Sequence, residues 1–190
     1  MVKRFREVIA PDLPRIQASG LSLREVVTLA SVVELETARV EERARIAAVF
    51  RNRLRMRMPL QTDPTVIYAL RKAGTYDGNI RRADLGVDSP YNTYRYAGLP
   101  PGPIASPGRD AIRAVLEPAD VRDLYFVSRN DGSHVFSANL ADHNRAVTQY
   151  QRNRSAAGPS PAVDPTVIPY GWAQAPPPSA QPVVKPTPGR

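Results

Sequence analysis

No cysteine occurs among the 190 residues, which excludes disulfides, thiolate nucleophiles and cysteine metal sites. Histidine is nearly as scarce: His134 and His143 are the only two. There is no HExxH pattern and no run of carboxylates at ligand spacing, so a metal centre has no evident donor set. Neither histidine stands near a nucleophile elbow, so a Ser-His-Asp triad would have no base. The stretch Gly98-Leu99-Pro100-Pro101-Gly102 is too rich in proline to offer the row of backbone donors that a phosphate cradle needs. No apolar run approaches the ~20 residues of a membrane-spanning helix. The basic start, Met1-Val2-Lys3-Arg4-Phe5-Arg6, is not followed by the apolar segment and cleavage site of a signal peptide. Carboxylate chemistry is what these absences leave.

Half of the 20 prolines lie between Ala156 and Arg190, where Asp164, Lys185 and Arg190 are the only charges. That segment has no apolar periodicity and cannot bury enough surface to fold. A disordered or polyproline-II tail is expected over 156–190, behind a folded domain over 1–155. The net charge is +8, a surface that attracts polyanions such as nucleic acid, anionic lipid or acidic wall polymer. No recognised nucleic-acid motif accompanies the charge, so a nucleic-acid partner is not expected.

Ser22-Leu23-Arg24-Glu25 is a capping box and opens a helix at Leu23. Leu23, Val26, Val27, Ala30 and Glu34 share one face. Leu29, Val32 and Val33 cover much of the other, together with Glu36. A helix apolar nearly all round is central rather than peripheral. A second helix is predicted from Glu41 to Arg57, with Ile46, Val49, Phe50 and Leu54 inward and Arg43, Arg45, Arg51, Arg53 and Arg55 outward. Asp63-Pro64 reads as a cap followed by proline, starting a helix to Leu70. Residues 73–105 read as a long ordered loop, and Ser106-Pro107 as the start of a helix to Glu117. Leu124 to Ser128 and His134 to Ser137 flank the turn Asn130-Asp131-Gly132 as a hairpin, and a last helix runs from Asn139 to Arg152. The class is α+β, mainly helical, with one hairpin and one long loop.

Charged side chains are rarely buried without a partner or a task, so Glu34 and Glu36 at the end of the central helix stand out. A carboxyl group at an apolar pocket has a raised pKa and can serve as a general acid near neutrality. Two residues apart on a helix, the pair point about 160° from each other and cannot form a facing dyad. Glu34 also fits a buried carboxylate paired with an arginine or holding a backbone donor. Spacing leaves the choice between them open, with a lean toward Glu36. Tyr91-Asn92-Thr93-Tyr94-Arg95-Tyr96 offers rings that stack on sugars and amides that bond hydroxyl or acetamido groups, although tyrosines can equally tack a loop to a core. Gln61-Thr62-Asp63 can bind or merely cap. His134 and His143 fit structural hydrogen bonding.

Several of these stretches resemble, in order and spacing, the YceG-like endolytic murein transglycosylases (MltG). They are Leu29-Ala30-Ser31-Val32-Val33-Glu34-Leu35-Glu36-Thr37, Val49-Phe50-Arg51-Asn52-Arg53-Leu54 and Leu60-Gln61-Thr62-Asp63-Pro64-Thr65-Val66-Ile67-Tyr68. Tyr91-Asn92-Thr93-Tyr94, Gly98 to Ile104, Leu124 to Val127 and His143-Asn144 continue the likeness over about residues 1–153. The resemblance implies a lysozyme-like central helix bearing a catalytic glutamate, no cofactor, and internal cleavage of peptidoglycan glycan strands with a 1,6-anhydromuramoyl end. In that family the catalytic glutamate is followed by threonine, which puts the role on Glu36, with Glu34 and Thr37 in support. Gln61, Thr62, Asp63, Tyr91, Asn92 and Tyr94 would then bind the glycan. Leu35 and Arg57 depart from the family, which commonly has lysine and glycine there. The resemblance further implies an N-terminal membrane anchor and a LysM-like domain outside this sequence, an extracytoplasmic location at the inner membrane, and partners in the wall-synthesis machinery. A glycan-binding module without catalysis is the alternative.

Overall fold

The computed structural model describes residues 2–152. The chain opens with two short helices, α1 (Val2–Ile9) and α2 (Leu13–Ala18), joined by a 3-10 turn over Ala10–Asp12. Neither helix was anticipated from the pattern. Ile9 and Ile16 are their contribution to the core.

Helix α3 (Leu23–Glu36) begins at the predicted capping box. The Glu25 amide donates to Ser22 Oγ at 3.2 Å, and the Ser22 amide donates back to Glu25 Oε2 at 2.8 Å. Such a cap contributes about 1 kcal/mol. Val26, Leu29, Ala30, Val32 and Val33 are wholly buried, so the helix is central, as its apolar circumference requires. Ser31 faces the core as well. Its hydroxyl donates to the Thr28 carbonyl at 2.7 Å and accepts the Ile104 amide at 3.0 Å, pinning the far end of the long loop to the middle of α3.

Helix α4 (Val40–Arg55) buries Ile46, Ala47, Val49 and Phe50. Its arginines are not all outward. Arg43 and Arg53 are buried, at 5 % and 9 % exposure, because the run Arg43, Ile46, Phe50, Arg53 steps by three, four and three along one face. Asn52 donates through Nδ2 to the Val121 and Asp123 carbonyls, both at 2.9 Å. Those bonds hold the segment that leads into the hairpin.

Helix α5 runs Asp63–Ala73 and ends at Gly74, whose φ of +73° is the left-handed C-cap glycine tolerates without strain. Its N-cap is Thr62, and no side-chain oxygen caps it. Asp63 is therefore the first helical residue, not the cap, and its carboxylate is free for another partner. The loop that follows is ordered as expected, with a 3-10 turn over Arg82–Gly86. Helix α6 (Arg109–Leu116) starts after Gly108, later than Ser106-Pro107 suggested. The Gly108 amide is committed to Glu34 Oε2 at 2.9 Å. Helix α6 packs across both α3 and α4.

Strands β1 (Tyr125–Ser128) and β2 (His134–Ser137) form the antiparallel hairpin, Tyr125 opposite Ser137 and Ser128 opposite His134. Asn130 and Gly132 take positive φ in the turn, at 68° and 83°. A lone hairpin is marginal in water, so this one depends on what it packs against. Phe126 meets Phe50 edge-on with centroids 5.8 Å apart. Glu42 on α4 accepts the His134 amide at 3.0 Å and contacts its Nδ1 at 2.6 Å. Helix α7 (Leu140–Val147), capped by Asn139, continues as a π-helical turn over Thr148–Arg152. The proline-rich segment 156–190 lies outside the described residues. Among the described residues no helix is long and apolar enough to cross a membrane.

Candidate active site

Glu36 is the last residue of α3, and Thr37 leaves the helix in extended conformation. The glutamate side chain is partly buried and enters a cavity of about 210 Å³ whose lining also includes Arg53, Leu60, Gln61, Thr62, Asp63, Tyr94 and Phe126. Four elements thus converge: the end of α3, the inward side of α4, the turn into α5, and strand β1. Tyr94 comes from the long loop.

Thr62 Oγ1 donates to Glu36 Oε1. The threonine is held by two others. Its amide donates to Thr93 Oγ1 at 3.2 Å, Thr93 Oγ1 lies 2.8 Å from Thr65 Oγ1, and Thr65 Oγ1 donates to the Thr62 carbonyl at 2.7 Å. Gln61 reaches this turn at a φ of 51°, its amide donating to the Thr93 carbonyl at 3.1 Å. Gln61 and Asp63 are exposed at the rim while Thr62 between them is buried. Asp63 Oδ1 accepts from the Tyr94 hydroxyl at 2.6 Å.

Burial pushes the Glu36 carboxyl up to about 7. The Thr62 hydrogen bond opposes that rise, the Asp63 charge adds to it, and the Arg53 charge opposes it. Tyr94 is raised well above the ordinary phenol range, chiefly by burial and then by its bond to Asp63, so it remains a neutral donor. Arg53 donates from Nε to the Leu124 carbonyl at 2.6 Å and from Nη1 to those of Pro59 and Leu60 at 3.2 and 2.9 Å. A protonated acid near neutrality, beside an apolar wall of Leu60 and Phe126, can deliver a proton to a bound oxygen and later take one back.

Glu34 points elsewhere. Its Oε1 accepts from Arg43 Nη2 at 2.8 Å and its Oε2 from the Gly108 amide. Both partners were foreseeable in kind, and the group ties α3 to α4 and to the start of α6. Thr37 is buried and its Oγ1 accepts the Arg39 amide at 3.0 Å.

Of the glycan-contacting residues expected from sequence, Gln61, Thr62, Asp63 and Tyr94 are brought to Glu36. Tyr91 and Asn92 are not. Asn92 has no exposed surface. Its Nδ2 donates to the Leu85 and Val87 carbonyls at 3.0 and 2.8 Å, and its Oδ1 accepts the Tyr94 amide at 2.9 Å. It organises the loop that carries Tyr94 and cannot reach a ligand. Tyr91 packs on Tyr68, centroids 4.6 Å apart, with Lys72 over its ring. Conversely, Arg53, Leu60 and Phe126 line the cavity without having been singled out. For Arg53 the signal was present, because it falls on the buried stripe of α4.

The model of the YceG-like family matches residues 1–149. The chain belongs to the YceG-like family. A Bacillus subtilis (strain 168) protein described as an endolytic murein transglycosylase is 40 % identical over 150 residues, covering 79 % of this chain and 41 % of that protein. A Streptococcus pneumoniae (strain D39) protein of the same description is 38 % identical over 160 residues, covering 81 % and 28 %. A crystal structure of a YceG-like protein from Listeria monocytogenes superposes with a TM-score of 0.71 at 41 % identity, over 77 % of this chain and 47 % of that one. The chain therefore spans less than half the length of these family members. The helical α+β architecture, with a small two-stranded sheet among the described residues, is consistent with that YceG-like structure.

Proposed function

We propose that this YceG-like chain cleaves the glycan strands of peptidoglycan internally, as a lytic transglycosylase, with Glu36 as its acid and base. The observation that carries the reading is a partly buried glutamate, raised to about 7, in a cavity ringed by hydrogen-bonding side chains. The activity named for the relatives, murein transglycosylation, supports it.

In this reading neutral Glu36 gives its proton to the glycosidic oxygen between N-acetylmuramic acid and N-acetylglucosamine. The bond from the muramoyl anomeric carbon to that oxygen breaks with oxocarbenium character. The muramoyl 6-hydroxyl then attacks the anomeric carbon and its proton returns to Glu36, leaving a 1,6-anhydro end. An intramolecular nucleophile has a high effective concentration, so no carboxylate is needed to activate water. Gln61, Asp63 and Tyr94 would orient the sugar. The substrate assigns the activity to the extracytoplasmic side of the membrane, where wall-synthesis proteins are the expected partners.

A hydrolytic reading has one observation in its favour: a second carboxylate, Asp63, lines the same cavity. Hydrolases use such a group on water or on the anomeric carbon. Mass spectrometry of purified glycan strands after digestion separates the two. Anhydro ends made by the wild type and absent with Glu36→Gln fit the transglycosylase, whereas hydrated reducing ends lost with Asp63→Asn would replace it by the hydrolase.

A further inference from the structure

Arg53 is buried, yet no carboxylate lies within ion-pair distance of it among the described residues. Its partners are three neutral carbonyls, and its guanidinium lies over the Tyr125 ring at 5.1 Å. Tyr125 is in turn stacked on His143, centroids 5.1 Å apart. Nη2 makes no hydrogen bond among the described residues. A buried cation without an anion is costly, and here the cost is met in the one cavity that also holds Glu36.

We propose that Arg53 is a positioning residue for Glu36, the counter-charge that receives the glutamate left behind once its proton has gone to the glycosidic oxygen. The inference rests on the transglycosylase reading for its step, and on geometry for its residue. Below about pH 7 Glu36 is mostly the neutral acid, and the cation then has little charge to meet. When the proton leaves, a carboxylate appears in the same cavity as a guanidinium that three carbonyls and a ring already hold in place. A fixed charge that gains its partner only as the reaction proceeds stabilises the transition state more than the ground state. Asp63, on α5, works in the opposite sense and keeps Glu36 protonated beforehand. Tyr94, from the loop, faces the same carboxyl as a neutral phenol. On the far side of Arg53, burial and then the Arg53 charge lower the His143 imidazole, so it adds no second cation near neutrality.

The test compares Arg53→Gln, which loses the charge, with Arg53→Lys, which keeps it. In Arg53→Gln the alkaline limb of the pH–rate profile should move up by about one unit, the size of losing an opposite charge nearby, and kcat should fall at least about tenfold. Arg53→Lys should keep the limb near that of the wild type with a smaller loss of kcat. An unmoved limb in Arg53→Gln, or equal movement in both variants, overturns the proposal. Because Arg53 also bridges three carbonyls, a measurement without any Arg53 variant accompanies these. By NMR, the Arg53 side-chain Nε–H signal should follow the Glu36 titration in the wild type and stay flat in Glu36→Gln. A signal that ignores Glu36 in the wild type overturns the proposal. The titration needs no glycan, so absence of anhydro product would sink the functional reading while leaving this coupling measurable.

Discussion

Glu36 is raised from the ordinary 4.5 to about 7, and that shift acts on stability as well as on rate. The folded protein favours the protonated form. The stability linked to this group is fully present below about 4.5 and is lost as pH rises through about 7. Glu36→Gln should therefore leave the thermal midpoint near the wild type at pH 5 and raise it at pH 8. The difference is expected to be about 1–3 kcal/mol at most, discounted for partial exposure. Equal midpoints at pH 8 would show that the carboxyl is not held neutral by its surroundings. Thr62 makes the converse case. Its hydroxyl favours the ionised glutamate, so Thr62→Val should move the alkaline limb of the rate profile upward. The lost orientation should lower kcat by about tenfold, the size of one hydrogen bond to a charged group. A limb that moves downward would contradict the assigned sign.

Glu34 and Arg43 pair between α3 and α4, outside the lining of the cavity that holds Glu36. Both are shielded, with side-chain exposures of 13 % and 6 %, and Arg43 Nε already has no partner among the described residues. Glu34→Ala would strand the arginine and release the Gly108 amide at the start of α6. A loss of about 3–5 kcal/mol in denaturant unfolding is expected, with activity per folded molecule retained near neutrality. A stable but inactive variant would return a catalytic role to Glu34. Asn92→Ala should cost about 2–3 kcal/mol by the same assay, since two carbonyls and the Tyr94 amide lose a buried partner. The central helix was legible because a capping box and an all-round apolar surface are local facts, as was the hairpin from its turn. The register of Asp63 was missed by one residue, because its carboxylate goes to a tyrosine 31 positions away instead of to its own helix. Arg53 was missed for a related reason. A charge among exposed arginines reads as solvated until the periodicity of the buried stripe is followed through it. Tyr91 and Asn92 share a motif with Tyr94, and only the backbone turn decides which of them meets the cavity.

Taken together, the helices and the hairpin form a frame in which the side chains around Glu36 come from four separate stretches of sequence: Arg53, Leu60 to Asp63, Tyr94 and Phe126. The spacing of the two glutamates removed an acid pair within α3. The fold then supplied a cation from α4, a hydroxyl from the turn before α5, and a carboxylate held by a tyrosine. The net charge of +8 should favour anionic wall polymer, so retention on isolated sacculi is expected to weaken as salt rises from 50 to 500 mM, roughly a threefold drop in screening length. Retention indifferent to salt would remove charge from the account of binding. The claim that one carboxyl serves twice is tested by the ends it makes. Purified glycan strands digested by the wild type and by Glu36→Gln, then resolved by mass spectrometry, should show 1,6-anhydromuramoyl ends with the first and intact strands with the second. Reducing ends carrying the mass of an added water, or equal cleavage by Glu36→Gln, would contradict it.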